Sequence, residues 1–156
     1  MRIIIQRSLA AKVSVDSQVL GQIDHGYVLL VGIAPQDTEE TVQYMARKIS
    51  KMRIFSDEEG KMNQSLDQVG GQILSISQFT LYARTKKGNR PSFVDAAQPD
   101  LGEKLYLRLN QILREDYGLE VSEGRFGADM KVELVNDGPV TIICLLYTSP
   151  SPRDRG

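Results

Sequence analysis

Helical periodicity is confined to two stretches of this chain, and that confinement limits what it can fold into. Val42, Met45, Ala46, Ile49 and Met52 recur at the spacing of one helix face. They follow Asp37-Thr38-Glu39-Glu40, which reads as a capped start, and Arg47, Lys48 and Lys51 lie toward the far end, where the macrodipole favours cations. Leu101, Leu105, Leu109, Ile112 and Leu113 repeat the pattern in a second helix, expected from Pro99 to about Tyr117 with Gly118 as its stop. The other apolar residues come in short runs. Three consecutive isoleucines within 2–7 read as a buried strand, residues 12–16 alternate polar and apolar, and 19–23 repeat that texture as a hairpin partner. Asp24-His25-Gly26 marks a turn before 27–34, the expected central strand, which Pro35 ends. Further strands are expected over 72–79, 130–135 and 140–143. The sum is an α/β protein of 156 residues, a single compact domain with many short strands around two amphipathic helices.

Composition narrows the function classes. Lys plus Arg (19) nearly balances Asp plus Glu (20), so any polyanion site must be local. One Cys and one His exclude a disulfide framework and leave an ordinary Cys/His zinc site short of ligands. No apolar run could span a bilayer, and residues 1–7 lack the apolar segment and cleavage site of a signal peptide, so the expected compartment is the cytoplasm, with no membrane partner. From Cys144 the texture changes to Cys-Leu-Leu-Tyr-Thr-Ser-Pro-Ser-Pro-Arg-Asp-Arg-Gly, which resembles a translated sequencing-library adapter. Residues 1–143 are therefore assigned to the domain and 144–156 to a non-native tail. The only thiol falls in that tail, so thiol catalysis drops out.

His25 sits in a hairpin turn, where a surface role is expected, and without another His a Ser-His-Asp arrangement would rest on it alone. There is no P-loop and no G-x-G-x-x-G, and Asp57, Glu58 and Glu59 read as a solvated turn. An enzyme of this inventory needs an intrinsically reactive substrate and positioned backbone dipoles. Three clusters stand out. Ser77-Gln78-Phe79-Thr80-Leu81 ends a buried strand, where hydroxyls also serve simply to bond nearby backbone. Asn136-Asp137-Gly138-Pro139-Val140-Thr141 is an ordinary turn signal. Arg84, Lys86, Lys87 and Arg90 share a Gly- and Pro-bearing loop without an intervening acid, a composition shared by solvated loops and phosphate-contacting ones.

Together these strings resemble the D-aminoacyl-tRNA deacylase family, also called D-tyrosyl-tRNA deacylases. The resemblance runs from Ile5-Gln6-Arg7 to Thr141, through Arg53-Ile54-Phe55-Ser56-Asp57, Gly60-Lys61-Met62-Asn63, Arg90-Pro91-Ser92-Phe93 and Gly124-Arg125-Phe126-Gly127-Ala128-Asp129-Met130. It implies a homodimer with active sites at the interface, no metal or organic cofactor, and sheet layers forming a barrel-like core with the helices packed outside. It implies hydrolysis of the ester joining a D-amino acid, or mischarged glycine, to the terminal adenosine of tRNA.

By the same resemblance Ser77, Gln78, Phe79 and Thr80 form the catalytic floor, with backbone N–H groups near Phe79 and Thr80 as oxyanion donors. Thr80 is a nucleophile by type, but without a base beside it an orienting role is expected, with the substrate 2′-hydroxyl assisting water. Phe126 and Met130 match adenosine-binding positions. Gly138 and Pro139, joined by a cis bond and supported by Arg7, would reach into the partner's site and reject L-amino acids with main-chain carbonyls. Arg84, Lys86, Lys87 and Arg90 are expected to meet tRNA phosphates. The competing reading is a non-catalytic RNA-binding module with the basic loop as its main feature.

Overall fold

The computed structural model describes residues 1–146. In chain order the strands and helices are β1 (Arg2–Ser8), β2 (Ala11–Val15), β3 (Gln18–Ile23), β4 (Gly26–Gly32), α1 (Glu39–Lys51), β5 (Phe55–Ser56), β6 (Met62–Gln64), β7 (Gln72–Ser77), α2 (Pro99–Glu115), β8 (Val121–Glu123), β9 (Lys131–Glu133) and β10 (Asn136–Leu145). A single 3-10 turn, Phe79–Tyr82, follows β7. Both expected helices form. Thr38 caps α1 reciprocally: its hydroxyl accepts from the Thr41 N–H, and the Thr41 hydroxyl accepts from the Thr38 N–H at 3.0 Å.

Five strands make the central sheet in the order β10-β1-β4-β7-β8. β10, β1 and β4 are antiparallel, whereas β4-β7 and β7-β8 pair in parallel. Parallel neighbours need long crossovers, and α1 and α2 lie within those two connections. Crossovers of one hand between strands added in one direction place both helices on the same face of the sheet. Their stripes, among them Val42, Met45, Leu105 and Leu109, pack on Ile3, Ile5, Tyr27 and Leu29. The opposite face, with Val28, Leu74 and Ile76, packs on Ala11, Val13 and Ile23 of a three-stranded sheet ordered β3-β2-β9. β4 therefore contributes alternate residues to two cores, which is why its sequence is apolar without a break.

The expected barrel-like core is corrected by this arrangement. The sheets form no closed barrel, because closure needs every strand to be hydrogen-bonded on both sides. Here β10 and β8 end one sheet, β3 and β9 end the other, and the two sheets meet face to face through side chains. The middle sheet is covered on both faces, so the architecture is three stacked layers.

A second difference concerns 136–139, expected as a turn before a strand over 140–143. β10 runs through it, and four residues, 137–140, bulge out opposite Arg7 between the pairs Gln6↔Thr141 and Ser8↔Asn136. The Asn136 side chain spans the bulge, donating to the Thr141 hydroxyl at 2.9 Å and accepting from the Val140 N–H at 3.0 Å. Beyond the domain boundary expected at 143, Cys144 and Leu145 pair with Ile3 and Arg2. The rest of the segment assigned to a non-native tail, from 147 onward, lies outside the described residues. Among the described residues no helix is long and apolar enough to cross a membrane.

Candidate functional site

A cleft of about 570 Å³ opens beyond the carboxyl ends of the parallel pair β4-β7, beside the first turn of α2. Open α/β sheets place ligands at such ends because the strands stop there and only loops surround the space. Ser77, Gln78 and Phe79 line one side of it, and Phe126 and Met130 line another, so two clusters almost fifty residues apart share one cavity. Thr80 is not part of the lining, but its hydroxyl accepts a hydrogen bond from the Gln78 side-chain amide.

Local structure explains what the Ser77–Thr80 segment can offer. The Gln78 N–H is taken by the Val31 carbonyl at 2.7 Å, which pins the segment to β4. The chain then enters the 3-10 turn, whose first donors have no carbonyl behind them. The N–H groups of Phe79 and Thr80 meet no acceptor among the described residues. Phe79 is 57% exposed and meets the Phe93 ring edge to face, centroids 5.0 Å apart, at the mouth of the cleft. An exposed aromatic pair at a cavity rim suits stacking against a ligand.

The opposite wall is tighter. Phe126 leans on Tyr106 of α2 at 6.2 Å, and a methyl group at Gly102 would stand 3.2 Å from the Phe126 ring. Met130 packs against Gly124, its sulfur filling the space where a side chain would be. Each also seals the edge of a core, Phe126 on the helix side and Met130 on the side of the second sheet.

Of the titratable side chains, Asp129 and Tyr106 reach the cleft. The Asp129 carboxylate is 90% exposed and held by the Lys131 ammonium at 3.2 Å. Burial raises the Tyr106 phenol above its ordinary value, so it stays a donor. Sequence reading singled out neither residue; a tyrosine within an apolar helical stripe was the one available signal. His25 and Cys144 do not line the cleft. Among the described residues no group of three or more His, Cys, Asp or Glu could hold a metal ion.

The Gly138-Pro139 peptide is cis, and both residues are exposed. Neither lines the cleft of its own chain. Arg7, 12% exposed, donates through Nε to the Asp137 carbonyl at 3.0 Å and through Nη1 to the Ile54 carbonyl at 2.8 Å, tying the bulge to the body of the domain. In the basic loop Arg84 is not free: Asp95 accepts two bonds from its guanidinium, at 2.5 and 2.8 Å, and that pairing holds the Asp95 carboxyl below its usual range. Lys86, Lys87 and Arg90 are exposed, with no ion pair among the described residues. Arg84 and Ser92 exchange backbone bonds, closing the loop next to Phe93 and hence next to the cleft mouth.

The chain is similar to known proteins over most of its length. The profile of the family described as D-Tyr-tRNA(Tyr) deacylase matches residues 4–145. A protein of Lacticaseibacillus casei named D-aminoacyl-tRNA deacylase is 57% identical over 143 residues, covering 92% of this chain and 96% of its own length. One of the same name from Halalkalibacterium halodurans is 56% identical, with 92% and 97% covered. Among solved structures, one titled c-Myc DNA Unwinding Element Binding Protein superposes with a TM-score of 0.88 at 37% identity, covering 95% of this chain and all of that one. A probable eukaryotic D-amino acid tRNA deacylase shares the fold, with a TM-score of 0.80 at 18% identity over 92% of this chain and 97% of that one. With nearly all of its described length matched, and relatives more than half identical, this chain belongs to the D-Tyr-tRNA(Tyr) deacylase family.

Proposed function

We propose that this chain is a cytoplasmic hydrolase of D-aminoacyl-tRNA, releasing the free D-amino acid and intact tRNA. The observation that carries the reading is the single cleft shared by Ser77-Gln78-Phe79 and by Phe126 and Met130. The terminal adenine lies against Phe126 and Met130, and the ester carbonyl comes to the Ser77–Thr80 side. Water adds to the carbonyl carbon, and the oxyanion that forms is met by the N–H groups of Phe79 and Thr80, which meet no acceptor among the described residues. The C–O3′ bond then breaks, and the leaving 3′-oxygen takes a proton. An aminoacyl ester is already activated, so no strong protein nucleophile is required, and the adjacent 2′-hydroxyl of the substrate assists the water.

Selectivity rests on Gly138 and Pro139 supplied by a second copy in a homodimer. Their exposure, and their separation from the cleft of their own chain, fit a role in trans. β10 is an edge strand that shows Ile143 (64% exposed) and Leu145 to the outside, a surface suited to burial against another chain. Main-chain carbonyls held by Arg7 against the substrate Cα exclude an L side chain whatever its identity. Glycine, with no side chain, passes the same filter.

Incubation with matched D- and L-aminoacyl-tRNA tests the proposal: only the D-ester should be lost. The second reading, a nucleic-acid-binding module without turnover, draws on the free cations of the basic loop. It predicts that both esters survive. Thr80→Ala should lower turnover about tenfold or less, the scale of one hydrogen bond, if the hydroxyl only orients. Complete loss of turnover with binding intact would make it the nucleophile. Neutralising Lys86, Lys87 and Arg90 together should weaken tRNA binding evenly across sequences. It should also flatten the dependence of log affinity on log salt by about one unit for each phosphate no longer neutralised, read by filter binding across a salt series.

A further inference from the structure

Behind the cleft, α2 turns two polar residues inward, one turn apart, in an otherwise apolar stripe. Tyr106 is 1% exposed and donates from its phenol to the Ser75 carbonyl at 2.6 Å. Asn110 is fully buried and donates from Nδ2 to the Glu123 carboxylate at 2.7 Å. Glu123 is held in turn by Arg114 at 3.2 Å, and Arg114 also bonds the Val121 carbonyl. The network is not complete: Asn110 Oδ1 and Ser75 Oγ are buried without partners among the described residues. Partly satisfied buried networks cost stability relative to well-packed apolar side chains. What the pair provides is placement.

Ser75 lies two residues before Ser77 on β7, the strand that delivers the ester side of the cleft. Glu123 ends β8 and is followed by Gly124, against which Met130 packs. Tyr106 also lines the cleft and backs Phe126. One helix face therefore grips β7, whose end lines the ester side, and β8, which leads into the loop carrying Phe126 and Met130. We propose that Tyr106 and Asn110 are positioning residues that set the distance between the adenine side and the ester side of the cleft. A ligand spanning both halves depends on that spacing, while a ligand filling only the adenine side does not.

This rests on the site reading above, so the test uses two ligands and needs no turnover. Adenosine and its 3′-(D-alanylamino)-3′-deoxy analogue, whose amide cannot be cleaved as an ester, are titrated by calorimetry into the full-length protein. Tyr106→Phe should weaken the analogue about tenfold, the scale of one hydrogen bond, and adenosine less than about twofold. Glu123→Ala should behave alike, whereas Glu123→Gln, which keeps an acceptor for Asn110, should stay within about twofold of the parent for both ligands. If Tyr106→Phe does not fold, Glu123→Ala carries the same comparison. Equal losses for both ligands would mean general loosening, and unchanged binding would mean no coupling; either overturns the proposal. A parent protein that binds neither ligand overturns the site reading itself, a different result.

Discussion

A tRNA whose terminal adenosine lacks the 2′-hydroxyl should be cleaved about 10²–10⁴-fold more slowly than the ribose form, the range a positioned general acid or base contributes, with binding nearly unchanged. The reason lies in what the cleft does not hold. Its lining contains neither His nor Cys. His25 sits in the turn before β4, and the half-buried Cys144, on β10, has its thiol pushed up by burial. The one carboxylate in the lining, Asp129, is 90% exposed and already engaged by the Lys131 ammonium at 3.2 Å. On the function proposed above, the substrate hydroxyl beside the ester is the group that assists water. Single-turnover rates on matched ribose and 2′-deoxy tRNA measure this directly. Equal rates would dismiss substrate assistance, and Asp129→Asn would then be expected to abolish turnover.

The largest stability effect is expected far from the chemistry. Gly26 opens β4 and pairs on both sides, with Ser8 and with Gln72. Its φ is +142°, and an added Cβ would stand 1.9 Å from the Gln72 carbonyl oxygen and 2.6 Å from the Gln72 nitrogen. Those are backbone atoms of the neighbouring strand, so no side-chain rotation relieves the clash. Gly26→Ala combines backbone strain with overpacking, each about 1–3 kcal/mol, for a loss of roughly 2–6 kcal/mol. At about 2–4 °C per kcal/mol for a chain of this size, the melting midpoint should fall by roughly 4–24 °C. Because β4 and β7 together carry Val31, Ile76 and Ser77 to the cleft, turnover at a fixed temperature should fall as well. Thermal denaturation followed by circular dichroism checks the first part, and an unshifted midpoint would show that the β4-β7 pair can part without cost.

Glycine has a different task at 138. There φ is +133°, and a Cβ would meet the Val140 side chain at 2.8 Å and Arg7 Nη2 at 3.0 Å. The bulge is packed around a missing side chain, with Arg7 bonded to the Asp137 carbonyl beside it. As a string, Asn136-Asp137-Gly138-Pro139 has the composition of a turn between strands, since turn chemistry and bulge chemistry use the same residues. What separates them is the strand alongside: β1 continues past Arg7 and pairs on both sides of the bulge.

The basic loop shows the same limit. Arg84, Lys86, Lys87 and Arg90 read as four equivalent cations, but Asp95, eleven residues from Arg84, takes the first of them. Tyr106 was invisible for a related reason. Its place in the apolar stripe is correct, and only the position of the Ser75 carbonyl gives its phenol a partner.

Local physical chemistry, written in residue order, determined the elements: two helices from their periodicity and capping, the doubly buried β4 from its unbroken apolar run, and the shortage of Cys and His from simple counting. The tertiary structure decided what no window of sequence contains. It stacked two open sheets in place of a closed barrel, because hydrogen-bond partners across a sheet are set by packing of distant segments. It brought Ser77 and Met130 to one cavity, and it carried Gly138 and Pro139 away from that cavity to an exposed edge. Contacts between residues far apart in the chain are formed by the fold as a whole, and so are the distances on which chemistry depends.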